Sequence, residues 1–519
     1  MPPMKDEHYD LVMCNADVIT MDPFLPRARL VAVRKGRIAG ISRETYPDRT
    51  LKATEVVDCK GKTVIPGLID AHCHLAGYAE SLASLDLSPR QNVRSVSDIK
   101  KRIALWCSER PPGSWIRCSG YSEFSLAENR HPTRKDLDEA APLHPVRLIH
   151  RSGHAHVLNS LALHLVGITL ETGDPPEGLI DRDLTGEPTG ILYGMGAYLS
   201  KRIPPLDEDE MERGVRLANE RLLSYGIASV HDASAHNDLH RFHMLRTWKK
   251  RGLFTPRITM MLGADGFGES GGGPAFRNDA LIAVRGVKII ADETTGRLHP
   301  PQTQLNDMVL AIHCAGMQAA IHAIEEPVIE AACNAIEYAL QREPRPDHRH
   351  RIEHCSVCPP HLRERIGRLS ITVVSQPSFL YHSGERYLRT VPDHQMAYLY
   401  PLGALLKKGV RVAAGSDFPI ADPNPWTAIY AAVSRKSESG DVLGQKERIS
   451  AFEALRMYTE RAAEAAFEET EKGSISVGKA ADLVVLSADP MSIDAEELKH
   501  IRTVMTIVGG RTAAGGSDI

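Results

Sequence analysis

Eight short apolar runs recur between residues 63 and 419, and their number and spacing constrain the fold more than any other feature of the chain. They read "TVIPGLIDAH", "IASVHDA", "RITMMLGAD", "GVKIIAD", "AAIHAI", "RIEHCS", "ITVVSQP" and "VRVAAGSDFP". Short, continuously apolar runs suit strands buried on both faces, and alternation with helical segments marks a parallel sheet. "EPVIEAACNAIEYALQR" and "SAFEALRMYTERAAEAAFEE" carry helical apolar spacing after the fifth and eighth runs. Eight is the strand number that closes a (β/α)8, TIM-like barrel. An α/β fold of that kind is therefore expected.

One connection is far too long for a βα unit: about 150 residues separate the first two runs. This stretch holds its own strand, "PVRLIHRSGHAHVLN", and the turn-rich "DRDLTGEPTG". It reads as an insertion over the barrel mouth, residues 76–205. Outside the barrel, "YDLVMCNADVITMD", "RLVAVRKGRIAGIS" and "EVVDCKGKTVIPG" look like antiparallel strands, and similar texture returns only in "GSISVGKAADLVVLSADP" and "IRTVMTIVGGRTA". Neither end has enough strands to bury a core alone. Residues 1–64 and 474–519 are therefore expected to pair as one small β-sandwich domain beside a barrel domain spanning 65–473.

A formal net charge of −4 without a basic run gives no reason to expect nucleic acid or an anionic membrane as partner. The polar start "MPPMKDEHYD" is unlike a secretory signal, and no apolar stretch approaches a membrane span. Nine scattered cysteines suit reduced thiols in a cytoplasmic protein better than a disulfide framework. Twenty-three histidines make metal chemistry worth testing.

Barrel sites form at the carboxyl ends of the strands. There the chain places His72 and His74, Lys288, His322, His354 and Asp417. In a strand His72 and His74 share a face while Cys73 points away, an arrangement that suits neutral imidazoles sharing a metal ion. Each residue alone has a bland alternative: a snorkelling lysine, a hydrogen-bonded core histidine, a helix-capping aspartate. Six of them along one rim are much harder to attribute to chance. Lys288 is the odd member, because at the ordinary lysine pKa only about one amine in a few thousand is neutral at pH 7. Desolvation would lower that pKa and let the amine capture carbon dioxide as an anionic carbamate.

The ordered set "DAHCHL", "GVKIIAD", "IHAI", "RIEH" and "GSDFP" resembles the metal-dependent amidohydrolase superfamily, and more narrowly its YtcJ-like branch. The likeness extends to "HPTRKDLDEAAPLHPV", "GHAHVLNSLAL", "GEPTG", "ALRMYTERAA" and "GSISVGKAADLVVL". It implies a distorted barrel, a terminal β-sandwich and a mono- or binuclear metal site. Carried over by position, His72, His74 and Asp417 would hold one metal, His322 and His354 a second, with carboxylated Lys288 bridging them. Imidazole and carboxylate ligands suit zinc best, with manganese, iron or cobalt as alternatives. The implied reaction is hydrolysis of a C–N amide bond (N-acyl, N-formyl or cyclic) of a small-molecule substrate, by metal-activated hydroxide with Asp417 as general base and then acid. Oligomeric state is left open, and a homo-oligomer is compatible with such a barrel.

Two stretches depart from the branch pattern: "HAIEE" stands for the usual "HAIGD", and "ADETTGRLHP" for "ADGSLGSR". The first creates His322-x-x-Glu325, a spacing that resembles the deaminase branch, in which one metal works with a glutamate proton shuttle. Glu325 and Glu326 equally suit the start of a helix, where carboxylates favour the dipole. His231 reads either as a substrate contact or as a core residue. Glu353 alternates to the face opposite His354 and reads as structural. The glycine-rich "GFGESGGGP" does not run straight into a helix as a dinucleotide loop does, and reads as a mouth loop. Tyr121, Tyr381 and Arg297 are candidate pocket walls.

Overall fold

The computed structural model describes residues 8–46, 52–175, 178–270, 279–293 and 296–516. All eight apolar runs form strands: β1 (Leu68–Cys73), β2 (Ile227–Asp232), β3 (Arg257–Gly263), β4 (Ile282–Ile290), β5 (Gln318–Ala323), β6 (Arg351–His354), β7 (Thr372–Ser375) and β8 (Val412–Ala414). They lie side by side in chain order in one sheet, and every pair is parallel. Every residue of β1, β2, β6, β7 and β8 is buried, so none of them has the solvent face that a half-exposed strand would show, and the polar residues they carry are buried as well.

The barrel closes where the chain leaving β8 meets β1. Asp417 N donates to His72 O at 2.8 Å, and His74 N donates to Phe418 O at 2.9 Å. Gly415 makes this approach feasible, since a Cβ there would sit 2.5 Å from His72 N and 2.6 Å from its Cβ.

The helix after β5 spans Glu326–Arg342 and buries Val328, Ile329, Ala332, Ile336 and Ala339 on one face. The long helix expected after β8 is instead two short ones, Ala451–Met457 and Glu460–Glu464. The break has a cause: Tyr458 O turns aside to accept Ile69 N at 2.8 Å, and the Thr459 hydroxyl donates to Leu455 O at 2.8 Å. In these two helices Leu455 and Met457 are buried, and Phe452 is exposed.

The two chain ends do build a β-sandwich. One sheet holds His8–Cys14, Leu30–Arg34, Arg37–Ser42 and Lys52–Asp58. In the other, Thr63–Pro66 pairs antiparallel with Leu483–Leu486 (Val64 opposite Val485), which continues into Thr503–Val508 and Arg511–Gly515. Leu11, Met13, Val31, Val33, Val64, Leu483, Val485 and Ile507 share one core, each such side chain contributing roughly 1.5–3 kcal/mol of burial. The pairing is not all antiparallel as the strand texture suggests: His8–Cys14 runs parallel to Lys52–Asp58, and Asp17–Ile19 parallel to Thr63–Pro66.

Residues up to Leu75 together with those from Asn219 onward form one compact unit, and Ala76–Ala218 another. The second unit has its own six-stranded sheet, in which Ile116–Tyr121, Val146–His150, Ala155–Leu158 and Pro188–Tyr193 are central. Its core includes Ile99, Ile103, Ile116, Leu137, Leu148 and Val157. The first part of the expected mouth loop is a short helix, Ala264–Ser270, and its remainder, Gly271–Pro274, lies outside the described residues. Among the described residues, no helix is long and apolar enough to cross a membrane.

Candidate metal centre

The six residues singled out at the strand ends converge. Lys288 Nζ lies 3.2 Å from His72 Nε2. Asp417 Oδ1 lies 2.9 Å from His74 Nε2 and 3.5 Å from His72 Nε2. The His354 ring centroid is 5.0 Å from that of His72 and 4.5 Å from that of His322. His72, Lys288, His354 and Asp417 are buried, while His74 and His322 are half-buried. His354 and Asp417 both adopt left-handed backbone (φ +72° and +62°), an unusual conformation for such residues and one that turns the chain inward at the rim.

One set of donors is compact enough for an ion. One ligand atom each of His72, His74 and Asp417 lie within 4.8 Å of one another, the one such group among the described residues. Asp417 Oδ1 is buried and accepts no hydrogen bond from the described residues, although an imidazole nitrogen is near. A buried carboxylate oxygen without a donor, facing imidazole nitrogens, is the chemistry of a divalent-metal site. The residues present thus fit the ion that the sequence leads one to expect.

Hydrogen bonds around the cage fix how each imidazole faces it. His72 Nδ1 donates to the Glu353 carboxylate, leaving the Nε2 lone pair toward Asp417 and Lys288. Arg351 grips the same carboxylate through Nε and through Nη2 at 3.0 Å, and reaches Ala71 O at 2.7 Å. His74 Nδ1 is 3.3 Å from Ser234 Oγ, whose proton goes to Asp232 at 2.6 Å. Asn237 also donates to Asp232, at 3.1 Å. His354 Nδ1 is 2.7 Å from Gln376 Oε1, and the amide nitrogen of Gln376 donates to Val374 O at 3.3 Å.

Glu353 corrects the sequence reading. Strict alternation would send it away from His354, but the left-handed turn at His354 breaks the period and both side chains face the site. Glu353, Arg351, Asp232, Ser234 and Gln376 went unrecognised; the one available signal was an arginine two residues before a glutamate in an otherwise apolar run.

Burial sets the charges. It lowers the Lys288 ammonium to about 8, against the opposing pull of Glu353 and Asp417. About one amine in ten is then neutral at pH 7. Burial, then the neighbouring Lys288, keeps His72 neutral, and burial, then His322, does so for His354. Burial pushes the Asp70 carboxyl up to about 7, although the Ser416 hydroxyl and two backbone amides donate to it.

The remaining candidates have their own surroundings. Glu325 is exposed at the start of the Glu326–Arg342 helix, where partial burial and then Asp292 and Glu293 raise its pKa. His231 is a fully buried core residue 3.7 Å from Glu468. Tyr121 is buried within the Ala76–Ala218 unit, bonded to His131 at 2.8 Å. Tyr381 packs edge-on against Tyr430, and Arg297 is exposed.

Comparison with known proteins adds an independent line. The sequence model described as "amidohydrolase family" matches residues 55–514. The N-substituted formamide deformylase of Arthrobacter pascens is 32% identical, covering 96% of this chain and 97% of its own. A putative amidohydrolase of Bacillus subtilis, YtcJ, is 30% identical over 88% of this chain and 90% of its own. The crystal structure of an uncharacterized metal-dependent hydrolase from Pyrococcus horikoshii superposes with a TM-score of 0.74 at 21% identity, covering 94% of this chain and 99% of that one. At that identity the likeness speaks for the fold.

Proposed function

The chain belongs to the amidohydrolase family and is a hydrolase of carbon–nitrogen bonds other than peptide bonds, and from that premise we propose that it cleaves the amide bond of a small molecule at this cage. His72, His74 and Asp417 hold one divalent ion in this proposal, and His322 and His354 a second. The compact donor set with its unpartnered, buried Asp417 oxygen is the observation that carries it. Bound there, a divalent ion polarises the carbonyl and lowers the pKa of water from about 15.7 toward about 7.

The protein's own groups supply the rest. The Asp417 carboxylate accepts a proton from the attacking water and passes it to the departing nitrogen, so that the amine leaves neutral. The neutral rings of His72 and His354 offer lone pairs to the site rather than positive charge. The neutral fraction of Lys288 attacks carbon dioxide at carbon: a C–N bond forms, one C=O electron pair moves onto oxygen, and the amine proton passes to solvent. The cation becomes a carbamate anion, which suits a position between two ions. Zinc fits the imidazole and carboxylate donors best.

A panel of N-formyl, N-acyl and cyclic amides, with zinc- or manganese-loaded protein, tests the proposal. The relative's name makes N-substituted formamides the first compounds to try. Turnover lost on chelation, and a kcat lowered about 10²–10⁴-fold by Asp417→Asn, is the expected result. Release of ammonia from amino-heterocycles without any amide cleavage would overturn it in favour of deamination.

A further inference from the structure

Three of the histidines are tied at Nδ1, and the three ties differ in charge. His72 donates to a carboxylate, His74 faces a hydroxyl that itself donates to a carboxylate, and His354 faces a neutral amide. Resting on the two-ion reading above, we infer that the two positions are unequal. The ion held by His72, His74 and Asp417 binds far more tightly than the one at His322 and His354, and Glu353 and Asp232 are the positioning residues that set the difference.

An imidazole whose Nδ1 proton is shared with a carboxylate carries more electron density at Nε2 and donates more strongly to a metal; an amide acceptor does this less. Glu353 is built for the role. Arg351 grips its carboxylate through both Nε and Nη2, so the acceptor facing His72 is one half of an ion pair. Arg351 also anchors it to β1 through Ala71 O, fixing acid and imidazole relative to one another. Asp232 gathers Ser234 and Asn237 behind His74 and accepts from Leu75 N at 3.3 Å. Gln376 brings no charge to His354. The geometry points the same way: His72, His74 and Asp417 each bring a ligand atom within 4.8 Å of the others, three donors from the chain itself, whereas the second position draws only two imidazoles, His322 and His354, besides Lys288.

The test is a chelator-competition titration of the full-length protein with zinc alone. Two classes at least about tenfold apart are expected, the tight one lost in His74→Ala and the weak one in His354→Ala. Glu353→Gln should weaken the tight class about 10–100-fold and leave the weak class unchanged, and Glu353→Asp should restore part of the loss. Gln376→Glu should tighten the weak class about tenfold. A single ion per chain that disappears in His74→Ala also supports the inequality. Equal affinities, or a tight ion that disappears in His354→Ala, would overturn it. If circular dichroism shows Glu353→Gln unfolded, Gln376→Glu decides alone, and no tightening overturns the inference. Absence of any zinc binding would remove the metal-site reading itself, an outcome distinct from two equal ions.

Discussion

His348→Asn should make the protein less stable at neutral pH yet nearly indistinguishable from the parent at pH 5. His348 is buried below β6: its Nδ1 accepts His350 N at 2.8 Å, and its Nε2 donates to Leu369 O at 2.8 Å. The Nδ1 bond requires the neutral ring, because a protonated imidazole has no lone pair there to accept His350 N. Burial lowers its pKa to about 4, helped by Arg345, His313 and Arg411 and opposed by the bond to Leu369. In the unfolded chain an imidazole titrates near 6.5, so the unfolded state binds more protons between these two values and stability falls as pH drops through that window. The contribution is complete above about 6.5 and gone below about 4, a total of about 3 kcal/mol, of which about 2 kcal/mol is lost by pH 5. Asparagine can still accept His350 N but leaves the Leu369 carbonyl without its donor, which costs about 1–2 kcal/mol at pH 7. Urea unfolding of both proteins at pH 7 and pH 5, with identical metal loading, reads the difference directly. A gap of the same size at both pH values would refute the reasoning, because the parent would then carry no proton-linked penalty at this residue.

Lys288→Arg keeps a cation but cannot form a carbamate, since a guanidinium does not deprotonate. It and Lys288→Ala should each lose at least about a hundredfold in kcat; an active Lys288→Arg enzyme, or a labelled-bicarbonate carbon NMR spectrum without a carbamate signal in the parent, would refute the bridging role. Glu325→Gln should change amide turnover less than about threefold, given that residue's exposed place at a helix start; a loss beyond about a hundredfold would return the glutamate to the chemistry. Arg435 is fully buried and donates to the carbonyls of Leu443, Tyr400 and Leu399 at 2.7, 2.9 and 2.8 Å. Arg435→Met strips three buried acceptors of their donors, so a loss of about 3 kcal/mol or more is expected in a denaturant melt, and a loss under about 1 kcal/mol would contradict it.

What could be read from the sequence, and what could not, divides along one physical line. Most of the barrel strands are legible because burial on both faces leaves a short run rich in apolar residues, and the His72–His74 pair because the two-residue period of a strand survives to the end of β1. Wherever the period stops, side-chain direction depends on a backbone angle that residue types do not announce. His354 and Asp417 take left-handed angles, and nothing in "RIEHCS" or "GSDFP" requires them. This is why sequence alternation puts Glu353 on the wrong face, and why the acceptors around the imidazoles, Ser234 and Gln376 just beyond β2 and β7, are not visible in it. The break at Tyr458 has the same origin: a carbonyl recruited by Ile69, almost four hundred residues earlier in the chain, outweighs helical spacing that is locally sound. In the proposal made above, ligand identity follows from residue types at strand ends, whereas ligand strength follows from contacts between strands. A change such as Gln376→Glu, which replaces no predicted ligand, should therefore alter metal affinity through its contact with His354.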